Sequence, residues 1–310
     1  MKRLLKGLVC AAMVAAPTLV LAQEAQDQTK VEEPEREAVE AVQEQQEEDT
    51  GPNTGKLSVL AGIDLTTAYY FRGYNQEDTG VILQPYANLY VKLHEGEEQT
   101  VTAYVGTWNS IHEVGTLADP GAPGQWYESD FVAGVDWGIA PFTIGFIYTA
   151  YTYPGGAFDT IQELGVKLSW DDADFAEDKL PFALKPYIGV YAETNDENGS
   201  EDWYGEVGIN PGVYTVNEDG RYPVSLSVPV TVGFSLKDYY FDDGGDETFL
   251  GYGSIGLTAG VPMAFIPEDY GTWTLTGSVQ YIHLFAETLD DLNAGDDWDV
   301  IGKVGISVAY

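Results

Sequence analysis

Charged side chains recur at alternate positions of otherwise apolar segments, and that spacing decides what chemistry they can share. Asp64, Lys92, Glu128, Asp130, Asp136, Glu163, Lys167, Lys185, Glu206 and Lys303 each fall on the polar side of a stretch whose other side is apolar. Successive side chains of an extended strand point to opposite faces, so these ten residues share one face of the sheet their strands build. Burying so many ionised groups in a dry core would cost on the order of several kcal/mol each. A water-filled interior carries them at little cost. With Glu193 and Asp299 added, the inward set holds eight acids against four lysines, a lining that favours cations.

Other reactive groups are few. Arg72-Gly73 stands where the first strand leads into its loop, placed to pair with carboxylates and fix that loop. Lys167 and Lys185, on neighbouring strands, are expected near Glu163 and Glu206 as a charged ladder that neutralises itself and stiffens the wall. The stretches Asp242 to Glu247 and Asp290 to Asp297 concentrate carboxylates near turns. They suit Ca²⁺ or Mg²⁺ held between loops, or plain surface repulsion, and neither fits the EF-hand spacing. Beyond Cys10, which falls in the leader described below, nucleophile chemistry would rest on His94, His112 and His283. His112 has acids nearby but no serine in a recognisable motif, so the chain reads as a non-enzyme without a cofactor.

The elements that must position these groups are strands. The 310 residues include 35 glycines, 21 tyrosines, 12 phenylalanines and 7 tryptophans, a profile of turn and strand formers. A formal net charge of -36 without a basic patch excludes nucleic acid as partner. Residues 1–22 open with Lys2, Arg3 and Lys6, run through apolar residues and end in Val20-Leu21-Ala22, the pattern of a secretory signal peptide. Residues 23–55 are dominated by Glu, Gln and Asp and read as a disordered acidic periplasmic tail. From 56 to 310 the hydrophobic period becomes 2. Strands are expected to begin near Leu57, Val81, Thr100, Tyr127, Phe142, Thr160, Phe182, Trp203, Val224, Phe249, Thr272 and Asp299. About twelve strands of about ten residues make an all-β, transmembrane antiparallel barrel.

Connection lengths support that sidedness. Gly138 to Pro141 and Asn217 to Pro223 are tight, whereas Ile111 to Gln125, Lys237 to Thr248 and Ala286 to Asp297 are longer; Asp171 to Pro181 is a long exception on the short-turn side. Trp137, Trp170 and Trp273 fall at one set of strand ends and Trp203 and Trp298 at the other, all on the apolar side, as two aromatic girdles would be. The chain closes on the amphipathic strand Gly305 to Tyr310. Twelve strands enclose a narrow lumen, which Tyr104, Trp108, Tyr187 and Tyr191 would partly fill.

The segment Ala68-Tyr69-Tyr70-Phe71-Arg72-Gly73-Tyr74-Asn75-Gln76, then Gln84-Pro85 and Tyr104-Val105-Gly106-Thr107-Trp108-Asn109-Ser110, resembles the opening of the TorF-type porins. Glu128, Asp130, Tyr151 to Gly155 and Glu163-Leu164 keep a similar order and spacing. The resemblance covers about Leu57 to Trp170, with Asn75 where that family usually has Ser. It implies a bacterial outer-membrane barrel, among lipid and lipopolysaccharide, that passes small solutes of unspecified identity. The expected function is a porin-like channel for small cationic or neutral solutes, with a non-conducting structural or surface-binding barrel as the alternative.

Overall fold

A computed structural model describes residues 55–114, 123–177, 179–194, 202–216 and 222–310. The expected leader, nearly all of the expected acidic tail and most of the Asn217 to Pro223 turn lie outside them. The described chain is all-β: β1 (Leu57–Thr66), β2 (Tyr69–Phe71), β3 (Tyr74–Glu77), β4 (Ile82–Glu95), β5 (Gln99–Val114), β6 (Pro123–Ile139), β7 (Phe142–Thr152) and β8 (Ile161–Trp170), followed by β9 (Pro186–Glu193), β10 (Trp203–Ile209), β11 (Gly212–Val216), β12 (Val224–Ser227), β13 (Val230–Lys237), β14 (Leu250–Pro262), β15 (Thr272–Leu284) and β16 (Trp298–Ala309). Two short helices, α1 (Ala173–Ala176) and α2 (Glu287–Leu292), sit in connections.

Strands pair antiparallel in sequence order, and β1 pairs with both β4 and β16, with Ile63 opposite Pro85 and Ile306, so the sheet closes on itself. Closure removes every edge that would otherwise present unpaired backbone groups. The ring has twelve positions because β10 with β11, and β12 with β13, are interrupted single strands. Both breaks fall at prolines, Pro211 and Pro229, which cannot donate to the ladder. The end where β1 begins and β16 finishes is termed proximal here, and the opposite end distal.

The polarity of the wall is inverted relative to a soluble barrel. On β8 the outward Leu164, Val166 and Leu168 are exposed, while Glu163, Lys167 and Ser169, which alternate with them, are buried. On β1 Leu57, Val59, Ile63 and Leu65 face out and Asp64 and Thr66 face in. Trp137, Trp203 and Trp298 are also exposed on the outer surface. An apolar exterior around a charged interior suits hydrocarbon outside and water or polar packing inside, so the barrel is of the membrane-spanning type. No described helix is long and apolar enough to cross a membrane; the strands do so.

Strand starts agree with the sequence periodicity to within about four residues. Two offsets reach four residues: β6, expected from Tyr127, is found from Pro123, and β9, expected from Phe182, is found only from Pro186. The Asp172 carboxylate explains the second. It accepts the backbone N–H groups of Leu184 (3.0 Å) and Lys185 (2.8 Å), and Lys185 is left-handed (φ 48°), so the chain before Pro186 is held out of the ladder.

Inward tyrosines are seated by glycines on adjacent strands. Gly165 of β8 faces Tyr191 of β9, and a Cβ there would lie 2.5 Å from the Tyr191 ring. A glycine lets the ring lie flat on the wall, which is how a narrow barrel holds large aromatic side chains inside.

Candidate functional site

The connection between β1 and β4 does not extend away from the barrel. Its hairpin, β2 and β3, turns inward and fills the distal lumen: Tyr69, Phe71, Arg72, Tyr74, Asn75, Gln76 and Glu77 are all buried. Phe71 pairs with Tyr74 around Arg72-Gly73, and both turn residues have positive φ, 46° and 90°. That is the two-residue turn whose twist matches a hairpin. Gly adopts it freely; Arg in this region is uncommon and strained by on the order of 1–3 kcal/mol, so something else must hold Arg72 there.

The holding group is Glu163, on β8 of the wall. Arg72 Nη1 donates to Glu163 Oε2 at 2.7 Å and Nη2 to Oε1 at 3.0 Å, a two-pronged pair with both side chains almost fully buried. The Tyr151 hydroxyl donates to the same Glu163 Oε1 at 2.9 Å. The guanidinium carbon lies 4.0 Å from the Tyr204 ring centre, 4.8 Å from Tyr191 and 5.6 Å from Tyr239. Burial disfavours the Arg72 charge, but the Glu163 carboxylate together with Tyr239 and Tyr151 outweighs it and holds the guanidinium well above its ordinary value.

Further contacts seat the hairpin. Tyr69 packs on Trp108 with ring centres 5.3 Å apart, and its hydroxyl donates to Glu128 Oε2 at 2.9 Å. Tyr127 donates to Gln76 Oε1 at 2.7 Å. From the distal side Tyr240 donates to the Arg72 carbonyl (2.8 Å) and stacks on Tyr74, while Tyr74 donates to the Tyr239 carbonyl (2.9 Å). The Asn293 side chain accepts from Tyr70 and Asn75 and donates to the Asp296 and Trp298 carbonyls, tying the hairpin to the connection that carries α2.

Below the hairpin the lumen opens into a cavity of about 430 Å³ that runs from Gly212, Thr272 and Ala309 at the proximal end up to Tyr69, Tyr70 and Arg72. Hydroxyl side chains of β12 to β16, among them Ser225, Ser254, Thr274 and Ser307, line one wall.

The sequence candidates divide accordingly. Asp64, Arg72, Lys167, Lys185, Glu206 and Lys303 line the cavity. Glu128, Asp130 and Glu163 face inward but lie against the hairpin, each 3% exposed or less. Asp136, also inward, lies beside Tyr90 and Tyr104. Lys92 does not line the cavity: a register shift follows it, and its ammonium pairs with Glu95 at 2.7 Å on the proximal rim. In the expected ladder of Lys167 and Lys185 with Glu163 and Glu206, the Glu163 position is taken by the hairpin. Glu163 is committed to Arg72, and Lys167 Nζ lies 3.9 Å over the Tyr187 ring. Lys303 instead approaches Asp64 at 3.6 Å.

Two further outcomes concern chemistry. The acidic loops use carboxylates on their own backbone: Asp242 accepts from the Asp246 N–H (2.9 Å), Glu287 from Asp243 (3.3 Å) and Glu247 from Asp238 (2.8 Å). Among the described residues no group of three or more His, Asp or Glu side chains is arranged to hold a metal ion. His112 does have a serine partner that spacing did not reveal, Ser110 Oγ, 2.8 Å from its Nε2. Both are buried under the hairpin, and His112 Nδ1 has no carboxylate behind it.

No family model and no curated protein matches the chain. Among solved structures it is similar to an outer membrane channel from Pseudomonas putida F1 (8% identity, covering 82% of this chain and 94% of that one, TM-score 0.43), and to LpxR from Salmonella typhimurium (9%, 81% and 99%, 0.42). The NanC porin is a third (14%, 81% and 98%, 0.35). At these identities and scores the likeness says nothing of function.

Proposed function

We propose that the protein is a porin-like channel of the bacterial outer membrane for passive diffusion of small solutes, held shut in this conformation by its own first distal hairpin. The proximal end would face the periplasm and the distal loops the lipopolysaccharide side. The observation that carries this reading is where the cavity stops. It ends at Tyr69, Tyr70 and Arg72 of a loop hairpin, and a loop can move without breaking the barrel ladder, whereas a wall cannot. Inward acids outnumber the three lysines that line the cavity, Lys167, Lys185 and Lys303, which favours cationic or neutral solutes once the hairpin withdraws. No catalysis is assigned, because the Ser110–His112 pair lacks both a third group and access.

A second reading has an observation of its own. The distal lumen is packed with Trp108, Tyr127, Tyr151 and Tyr204, all essentially inaccessible, as in a barrel that never conducts and serves a structural or surface-binding role. Liposome swelling separates the two. Vesicles carrying a variant in which residues 68–77 are replaced by a short Gly-Ser link should admit small sugars and organic cations. Intact swelling resistance with the barrel inserted would favour the second reading.

A further inference from the structure

Seen from the wall, Arg72 is a ligand. With the hairpin set aside, β7 to β10 and the β13–β14 connection leave a pocket made of the Glu163 carboxylate, the Tyr151 hydroxyl that orients it, the faces of Tyr204 and Tyr191, and Tyr239 at the rim. Each of these belongs to the barrel or to another loop, not to the hairpin. A carboxylate presenting both oxygens to two parallel N–H groups, with aromatic faces beside them, matches a planar delocalised cation. A hydrated sodium ion would use the carboxylate but gain little from the rings, and an ammonium would satisfy one prong of two.

Other carboxyl groups lie close by: Glu128 and Asp130 are buried side by side and share a hydrogen bond, and Glu163 stands directly opposite Glu193 across the β8–β9 ladder. The hairpin itself is strained in backbone conformation to deliver the cation, since Arg72 sits at φ 46°.

We infer that this pocket is a recognition site for small guanidinium-bearing solutes, and that Arg72 is a tethered occupant with which such solutes compete. The inference rests on the channel reading for its role in transport and names the solute class that reading leaves open.

The test is rescue of an emptied pocket. Arg72→Gly removes the guanidinium and suits the left-handed backbone. The purified full-length variant in detergent is titrated with methylguanidinium, methylammonium or sodium chloride at matched ionic strength, and its thermal midpoint is followed by near-ultraviolet circular dichroism. Methylguanidinium should raise the midpoint saturably, with methylammonium about tenfold weaker and sodium flat. The rise should be absent in Arg72→Gly/Glu163→Gln and in the unaltered protein, whose pocket is full. If the single variant does not fold alone, refolding yield with and without methylguanidinium decides the same question. A flat titration, an equal response in the double variant, or unrescued refolding would overturn the site and leave Arg72 a structural anchor only. The readout needs no conduction, so a silent bilayer would overturn the channel while leaving a positive titration standing.

Discussion

Arg72 and Glu163 lie 91 positions apart in the chain and meet as a two-pronged buried pair at 2.7 and 3.0 Å. One member comes from a loop and the other from the wall, so the contact joins a movable element to a fixed one. The chain around Arg72 is bent into a left-handed turn to reach it.

Removing one partner leaves the other charge buried and uncompensated, which typically costs about 3–5 kcal/mol. Arg72→Met and Glu163→Leu should each destabilise by about that amount, and the double variant should be less destabilised than the sum. Urea unfolding in detergent, run as a double-mutant cycle, measures it. Additive losses would mean that the pair carries no coupling.

Outside the barrel, Val166 faces hydrocarbon between inward Gly165 and Lys167. Val166→Arg should destabilise by about 2–4 kcal/mol, the cost of a charge on the lipid face near the midplane. Folding titrations into lipid vesicles check this, and a neutral effect would contradict the assigned faces.

Gly165 is the seat of Tyr191. Gly165→Ala would place a methyl 2.5 Å from that ring, forcing it off the wall at a cost of about 1–3 kcal/mol. Since Tyr191 is one face of the Arg72 pocket, hydrogen exchange across residues 68–77 should also quicken. Unchanged exchange would detach Tyr191 from the hairpin's stability.

In the distal connection, burial and then the Asp297 charge raise Asp290 above its ordinary value, with Asp243 and Asp291 adding to it. A carboxyl raised in the folded state contributes stability that is full below the unfolded value of 3.8 and is lost as pH rises through the raised one. Protection of α2 amides should therefore increase on acidification from neutral pH, and Asp290→Asn should reproduce part of that gain at pH 7, under about 1 kcal/mol for so exposed a site. Hydrogen exchange against pH reads it; protection that falls on mild acidification would contradict the sign.

The wall was legible because a closed sheet with unlike faces writes itself as alternation. Leu164, Val166 and Leu168 against Glu163 and Lys167 state inside and outside directly, and Pro211 and Pro229 mark where strands must break. The hairpin was not legible in the same way. Tyr69 to Glu77 has no period that separates an inward from an outward loop, and Arg72 carries no sign of a partner on β8. The acid count was right as a count, but Glu128, Asp130 and Glu163 face the hairpin rather than the cavity, a division that depends on where the loop goes. Ser110 and His112 escaped notice as a pair because residues two apart on one strand share a face, yet their contact depends on rotamers that spacing does not encode.

Whether the first distal hairpin shuts a channel is decided by single-channel recording in planar bilayers, comparing the unaltered protein with the variant whose residues 68–77 are replaced by a short Gly-Ser link. Rare or small openings are expected for the first, and sustained, several-fold larger, cation-selective steps for the second. A shortened variant that is folded and inserted but silent would contradict the hairpin's role as a gate.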